Sequence, residues 1–195
     1  MGTRGSYGFR VDGEDRLAYN HFDSYPEGLG QDIYDSLRCL LDKYSLDELK
    51  DKVRKIELVK ENSSPSPEQI KRLEGYADSQ VSSGKIDEWY VLLRDMQGDI
   101  KAHVEEGIMI SGGDFIYDSL YCEWAYIVNL DEEVFEVYRG FQRMPNHGRY
   151  QLDGTNHKNG YYPCSLIATF PLDNLPTDTI QQIIAIKDKE ETEAL

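Results

Sequence analysis

No run of 18 apolar residues occurs in the 195-residue chain, so no membrane-crossing helix is expected. No basic-then-apolar leader is expected either. Cysteine is scarce: Cys39, Cys122 and Cys164 stand far apart, at neither metal-ligand nor redox spacing. Scattered, odd-numbered thiols without a leader point to a reducing compartment, the cytoplasm, with inert buried sulfur. Positive charge is also short, with 21 Lys+Arg against 36 Asp+Glu and a formal net charge of −15. That balance opposes phosphate backbones and anionic lipid, so neither nucleic acid nor membrane is expected as a partner. The acids are interspersed with Lys and Arg, the pattern of a solvated surface. Nucleotide signatures are lacking too. Gly2, Gly5 and Gly8 precede no helix, and neither a phosphate-loop lysine nor a Gly-x-Ser-x-Gly elbow occurs. No cofactor and no metal is expected. The start, Met1-Gly2-Thr3-Arg4-Gly5-Ser6, fits an acylation pattern, but no polybasic second signal follows, and Gly2 is expected simply to open a strand.

What remains is apolar enough for a packed core, at 39% hydrophobic with 14 tyrosines, and its length suits one domain over residues 1–195. Tyr7, Phe9 and Val11 alternate, Asp12-Gly13 turns the chain, and Leu17 and Tyr19 continue the alternation: a β-hairpin. Residues 20–30 read as a loop. A helical insert follows over about residues 31–105. Its first stripe is Ile33, Leu37, Leu40, Leu41 and Tyr44. Ser45 and Glu48 form a capping box ahead of Leu46, Leu49, Val53 and Ile56. Pro67 sits at a first helical position. Trp89, Leu92, Leu93, Met96, Ile100 and Val104 predict one long helix that runs through Gly98. Residues 108–110 form a short apolar run. Residues 124–130 and 134–141 are rich in strand formers and make a second hairpin. Residues 142–160 read as a mobile surface loop, 161–172 as a last strand, and Ile180, Ile183 and Ile184 as one face of a closing helix with a charged tail at 187–195. The class is therefore α+β: a mainly antiparallel sheet from two hairpins plus a C-terminal strand, with the helical insert packed on a face.

One polar cluster stands out, Tyr19-Asn20-His21-Phe22-Asp23-Ser24-Tyr25-Pro26-Glu27-Gly28-Leu29-Gly30. His21 and Asp23 are two apart, so on an extended chain both face one way, and a His oriented by a carboxylate is the unit of general-base catalysis. These two are the candidate catalytic residues. Asn20 and Tyr25 are candidate ligand contacts, with Arg4 or Arg139 as an anion clamp. Gly28 and Gly30, ahead of a helix, are expected to offer N–H groups to an anion. The same residue types also close tight turns through their own backbone. His103 is expected as a cation near a helix C-terminus. His147 and His157, near Arg143, Arg149 and Lys158, are expected to be a solvated loop.

The runs Thr3-Arg4-Gly5…Gly8-Phe9 and 19–30, the hairpin Glu123-Trp124-Ala125-Tyr126 to Tyr138-Arg139-Gly140-Phe141, and Phe170-Pro171-Leu172-Asp173-Asn174-Leu175-Pro176 resemble a family of uncharacterised proteins met in phages, bacteria and fungi. The resemblance covers both ends of the chain and implies no particular activity. A more distant likeness is to N-terminal-nucleophile hydrolases, which begin on a strand and end the return strand in a polar turn. It implies a sheet-and-helix sandwich. The chain departs from that class because Gly2, not Cys, Ser or Thr, would follow Met1. The expected function is small-molecule binding, or a small hydrolase or transferase, at the end of the N-terminal hairpin. The alternative is a non-catalytic acidic interaction or inhibitor protein, viral or host-modulating, on a basic partner surface.

Overall fold

The computed structural model describes residues 2–145, 147–151 and 158–193. His157 lies outside them. Strands β1 (Gly5–Val11) and β2 (Glu14–Asn20) pair antiparallel, and Asp12 (φ 54°) and Gly13 (φ 76°) turn between them. The carboxylate of Asp131 accepts from the N–H groups of Asp12 (2.7 Å) and Gly13 (2.8 Å), which ties this turn to the turn of the second hairpin.

Helices α1 (Gln31–Lys43) and α2 (Leu46–Arg54) follow, the second opened by the Ser45–Glu48 capping box. The second apolar stripe does not stay helical. After Arg54 the chain extends into strand β3 (Glu57–Val59), buried at Ile56 and Val59. Helix α3 (Pro67–Leu73) starts on Pro67 with its own capping box, Ser66 and Gln69.

The long helix read over 89–104 is broken. Helix α4 (Trp89–Leu92) and a 3₁₀ turn at Arg94–Met96 end at Gly98, whose φ of +90° suits only glycine. Asp99 then caps helix α5 (Ile100–Glu106), accepting from the N–H groups of Lys101 (3.0 Å) and Ala102 (3.1 Å). The run 108–110 is strand β4 (Ile108–Ile110), which pairs parallel with β3 in a separate two-stranded sheet.

The second hairpin, β5 (Trp124–Asn129) and β6 (Val134–Arg139), is as expected, and β7 (Ser165–Pro171) pairs antiparallel with β6. The five-stranded order is β2-β1-β5-β6-β7. Every neighbouring pair is antiparallel except β1 with β5, where the chain returns from the helical insert. The fold is α+β with a mostly antiparallel sheet.

Tyr7, Phe9, Trp124, Tyr126, Val128, Phe135 and Val137 face α1, α2, α5 and the closing helix α6 (Thr179–Glu193) in the larger core. The opposite face is not open to water. Leu17, Ala125, Ile127 and Tyr138 are covered by Ile116, Cys122, Tyr150 and Cys164. Burial on both faces explains why β5 reads as an unbroken apolar run.

The loop at 142–160 is thus more than a surface excursion in its described part. Tyr150 is 2% exposed and donates to Asp15 (2.7 Å), while Arg149 bonds the buried Glu136 and the Tyr138 hydroxyl (2.9 Å). A carboxylate on a covered strand requires such a cation, and that need pins the loop. Among the described residues no helix is long and apolar enough to cross a membrane.

Candidate functional site

Sheet pairing stops at Asn20, and the next residues are fixed by hydrogen bonds back to the sheet. The Asn20 amide donates to Ser24 Oγ (2.8 Å) and to the Phe22 carbonyl. The Ser24 N–H donates to the Thr3 carbonyl (3.1 Å), and the buried Tyr126 hydroxyl donates to the Ser24 carbonyl (3.0 Å). Asn20 therefore closes the loop. Asp23 adopts a left-handed φ of 51°, and Gly28 lies so close beneath it that a Cβ there would meet the Asp23 carbonyl at 2.2 Å. The N–H groups of Gly28 and Gly30 donate to the Tyr25 carbonyl (3.0 and 3.3 Å), and that of Leu29 donates to the Asp23 carbonyl (2.8 Å). The expected anion seat at these glycines is thus occupied by the loop's own carbonyls.

His21 keeps the strand direction, and its orienting partner lies behind it. Nδ1 is 2.6 Å from the Tyr19 hydroxyl. The two-residue spacing works backward to Tyr19 because pairing holds up to Asn20. It fails forward because Asp23 turns the chain away. Asp23 instead accepts from the exposed Tyr25 hydroxyl (3.1 Å). The expected His21–Asp23 pair is not formed. Burial, then the positive charges of Arg4 and Arg94, holds the His21 pKa below its usual 6.5, so the ring is neutral at pH 7. Burial pushes the Tyr19 hydroxyl pKa up. Among the described residues no hydrogen bond is made to His21 Nε2.

The six candidate residues do not share one cleft. His21 lines a cleft of about 520 Å³ with Tyr19, Tyr90 and Ser63, walled by Glu61 and Glu88. Asn20 and Asp23 border a second, of about 290 Å³, beside Asp32 and Arg94. Tyr25 and Arg139 border a third, of about 410 Å³. Arg139 stacks over Trp124 at 4.3 Å, and the exposed Arg4 lies over Tyr121 at 5.9 Å. Neither arginine lines the cleft of His21.

Other groups near His21 carried no sequence signal. Arg94 donates to Gln97 (2.6 Å), Gln97 donates to the Tyr19 carbonyl (3.0 Å), and Arg94 lies over the Phe22 ring at 5.8 Å. Beneath them His103 is 3% exposed, which corrects its expected role as a helix-end cation. Its Nδ1 donates to the Ile108 carbonyl (2.8 Å), so Nε2 accepts from the Tyr7 hydroxyl (2.9 Å). Burial lowers the His103 pKa to about 4. A small cavity of about 30 Å³ separates this pair from Tyr19, Tyr90 and Gln97. His147 lies by the start of β7, where its carbonyl accepts from the Leu166 N–H (2.9 Å). Among the described residues no cluster of three or more His, Cys, Asp or Glu could hold a metal ion.

In comparisons with known proteins, no family model, no curated protein and no solved structure matches the chain. The two resemblances therefore rest on the quoted motifs alone.

Proposed function

We propose that the protein binds a polar small molecule in the cleft beside His21 and that His21 exchanges a proton with it in a hydrolysis or group transfer. One observation carries this reading. A neutral imidazole has one nitrogen held by Tyr19 at 2.6 Å and the other left for a ligand, on the wall of a cleft large enough for a small substrate. The part expected of Asp23 passes to Tyr19. Its hydroxyl holds the ring in place and either donates to Nδ1 or accepts from it, so Nε2 serves as donor or base according to the tautomer. The serine hydroxyls and carboxylates of the cleft suit a ligand rich in hydroxyl or amino groups.

The test is a thermal-shift screen against amino acids, sugars, sugar phosphates and nucleotides, with His21→Ala and Tyr19→Phe alongside. A ligand of the native fold raises its melting point by mass action. The expected result is a hit abolished in His21→Ala and weakened in Tyr19→Phe. A hit retained at full strength by both variants would place the ligand elsewhere and sink the reading.

A further inference from the structure

The register of the sheet gathers an unusual surface at one end. Asn20, Gly5, Trp124, Arg139 and Ser165 form one row across the strands. Just beyond that row lie Arg4, Tyr121, Phe141, Arg143 and Tyr161. Three arginines here lie over aromatic rings: Arg4 over Tyr121 (5.9 Å), Arg139 over Trp124 (4.3 Å) and Arg143 over Tyr161 (5.6 Å). Arg4 and Arg143 are exposed, in a chain whose net charge is −15. The nearby acids are offset: Glu27 is 3.6 Å from Lys187, and Glu123 feels both Arg4 and Arg139.

Large apolar side chains are exposed on the same end: Tyr121 at 47%, Phe141 at 46% and Met144 at 73%. Phe141 is disfavoured twice, because its φ of +58° is left-handed and its ring faces water. Asparagine or glycine would suit that backbone better, and neither would expose an aromatic ring. Strain of this kind clusters at binding sites and other functional surfaces. Arginine, aromatic residues and methionine together form the composition of a protein-binding hot spot. The third cleft, between Tyr25, Trp124 and Arg139, offers a pocket for one side chain of a partner.

We propose that this end of the sheet docks an acidic peptide segment of a partner protein, with its carboxylates on the exposed Arg4 and Arg143 and an apolar anchor against Phe141 and Met144. Charge complementarity sets the sign of the partner, and the exposed Phe141 and Met144 favour a peptide over a nucleic-acid strand. Neither Arg4 nor Arg143 lines the cleft of His21.

A displayed library of random 12-residue peptides is selected on the full chain and, in parallel, on R4E/R143E and Phe141→Asn. Both arginines are exposed, and asparagine accepts the backbone of Phe141, so both variants are expected to fold. Enriched peptides should be rich in Asp and Glu with one or two Phe, Leu or Trp. Their affinity should drop about tenfold for each arginine reversed and fall further in 0.5 M salt. Phe141→Asn should lose the peptides while its melting temperature stays level or rises. His21→Ala should bind them unchanged, which keeps this result distinct from that of the small-molecule site. Enriched peptides without acidic bias, equal recovery on R4E/R143E, no enrichment at all, or tighter binding of a labelled dT12 oligonucleotide than of any peptide would each overturn the proposal.

Discussion

Acidification should destabilise this protein through His103 well before its carboxylates matter. In the folded chain the ring is buried, donates to the Ile108 carbonyl, accepts from the Tyr7 hydroxyl, and has a pKa of about 4. In the unfolded chain it titrates near 6.5. The folded pKa lies below the unfolded one, so the unfolded state takes up a proton first as the pH falls. Stability is then fully present above pH 6.5, declines as pH drops from 6.5 toward 4, and levels off for this group below 4. The gap corresponds to roughly 3 kcal/mol, a large share of the 5–15 kcal/mol typical of a domain. Between the two pKa values the slope should approach about 1.4 kcal/mol per pH unit. The assay is urea unfolding at half-unit steps from pH 8 to 4.5, run on the native chain and on His103→Gln. Every carboxylate and His21 are common to both proteins and cancel in the difference. The variant, which has no imidazole to protonate, should be less stable at pH 8 and should close the gap as pH falls. A difference that stays constant between pH 7 and pH 5 would refute the assignment of a buried neutral ring.

Two further substitutions test the packing of the fold. Gly98→Ala forces a side chain into φ +90° and brings its Cβ to 3.1 Å from Leu29 Cδ1; a loss of about 1–3 kcal/mol is expected in the same unfolding assay, and no loss would mean that the break between α4 and α5 is not held by this glycine. Arg149→Met leaves Glu136, 5% exposed, with Asn129 (2.7 Å) and Tyr138 (3.1 Å) as its side-chain donors among the described residues; a loss of about 2–4 kcal/mol is expected by calorimetry, and Glu136→Gln in the same background should restore part of it.

The fold was legible where local signals agree with tertiary demands. Asp12-Gly13, the Ser45–Glu48 box and Pro67 each act within a few residues, and each marks the boundary that the structure shows. The errors fall where one residue overrides a periodic pattern. The stripe Trp89 to Val104 has helical spacing, yet Gly98 and Asp99 provide a stop and a new cap within two residues. Ile108–Ile110 reads as a strand, but three residues carry no information on which sheet they join; that is decided by the equally short Glu57–Val59, which follows directly on a helical stripe and is too short to show a period of its own. Long-range charge pairing was invisible in the same way. Nothing near Arg149 in the chain announces Glu136, and only the covered back face of the sheet makes the pair necessary.

The polar cluster at 19–30 shows why a motif is weaker evidence than a strand. Alternation tells which side chains share a face only while the backbone is paired. Tyr19 and His21 obey it, and they are the two that meet. Beyond Asn20 the pairing ends, Asp23 turns left-handed, and the next carboxylate and phenol are carried to other clefts. Most of the polar density in the motif is used to build that turn: Asn20 on Ser24, the glycine N–H groups on Tyr25, Ser24 on Thr3. What is left over includes one histidine nitrogen. The charges that add to burial in holding its pKa down, Arg4 and Arg94, lie 17 residues before and 73 residues after it in the chain. A scan for chemistry along the sequence weights residues by their neighbours in the chain. Which hydrogen-bonding groups a turn leaves unused emerges only once the bonds that build the turn are known, and those depend on contacts distant in the chain such as Ser24 on Thr3.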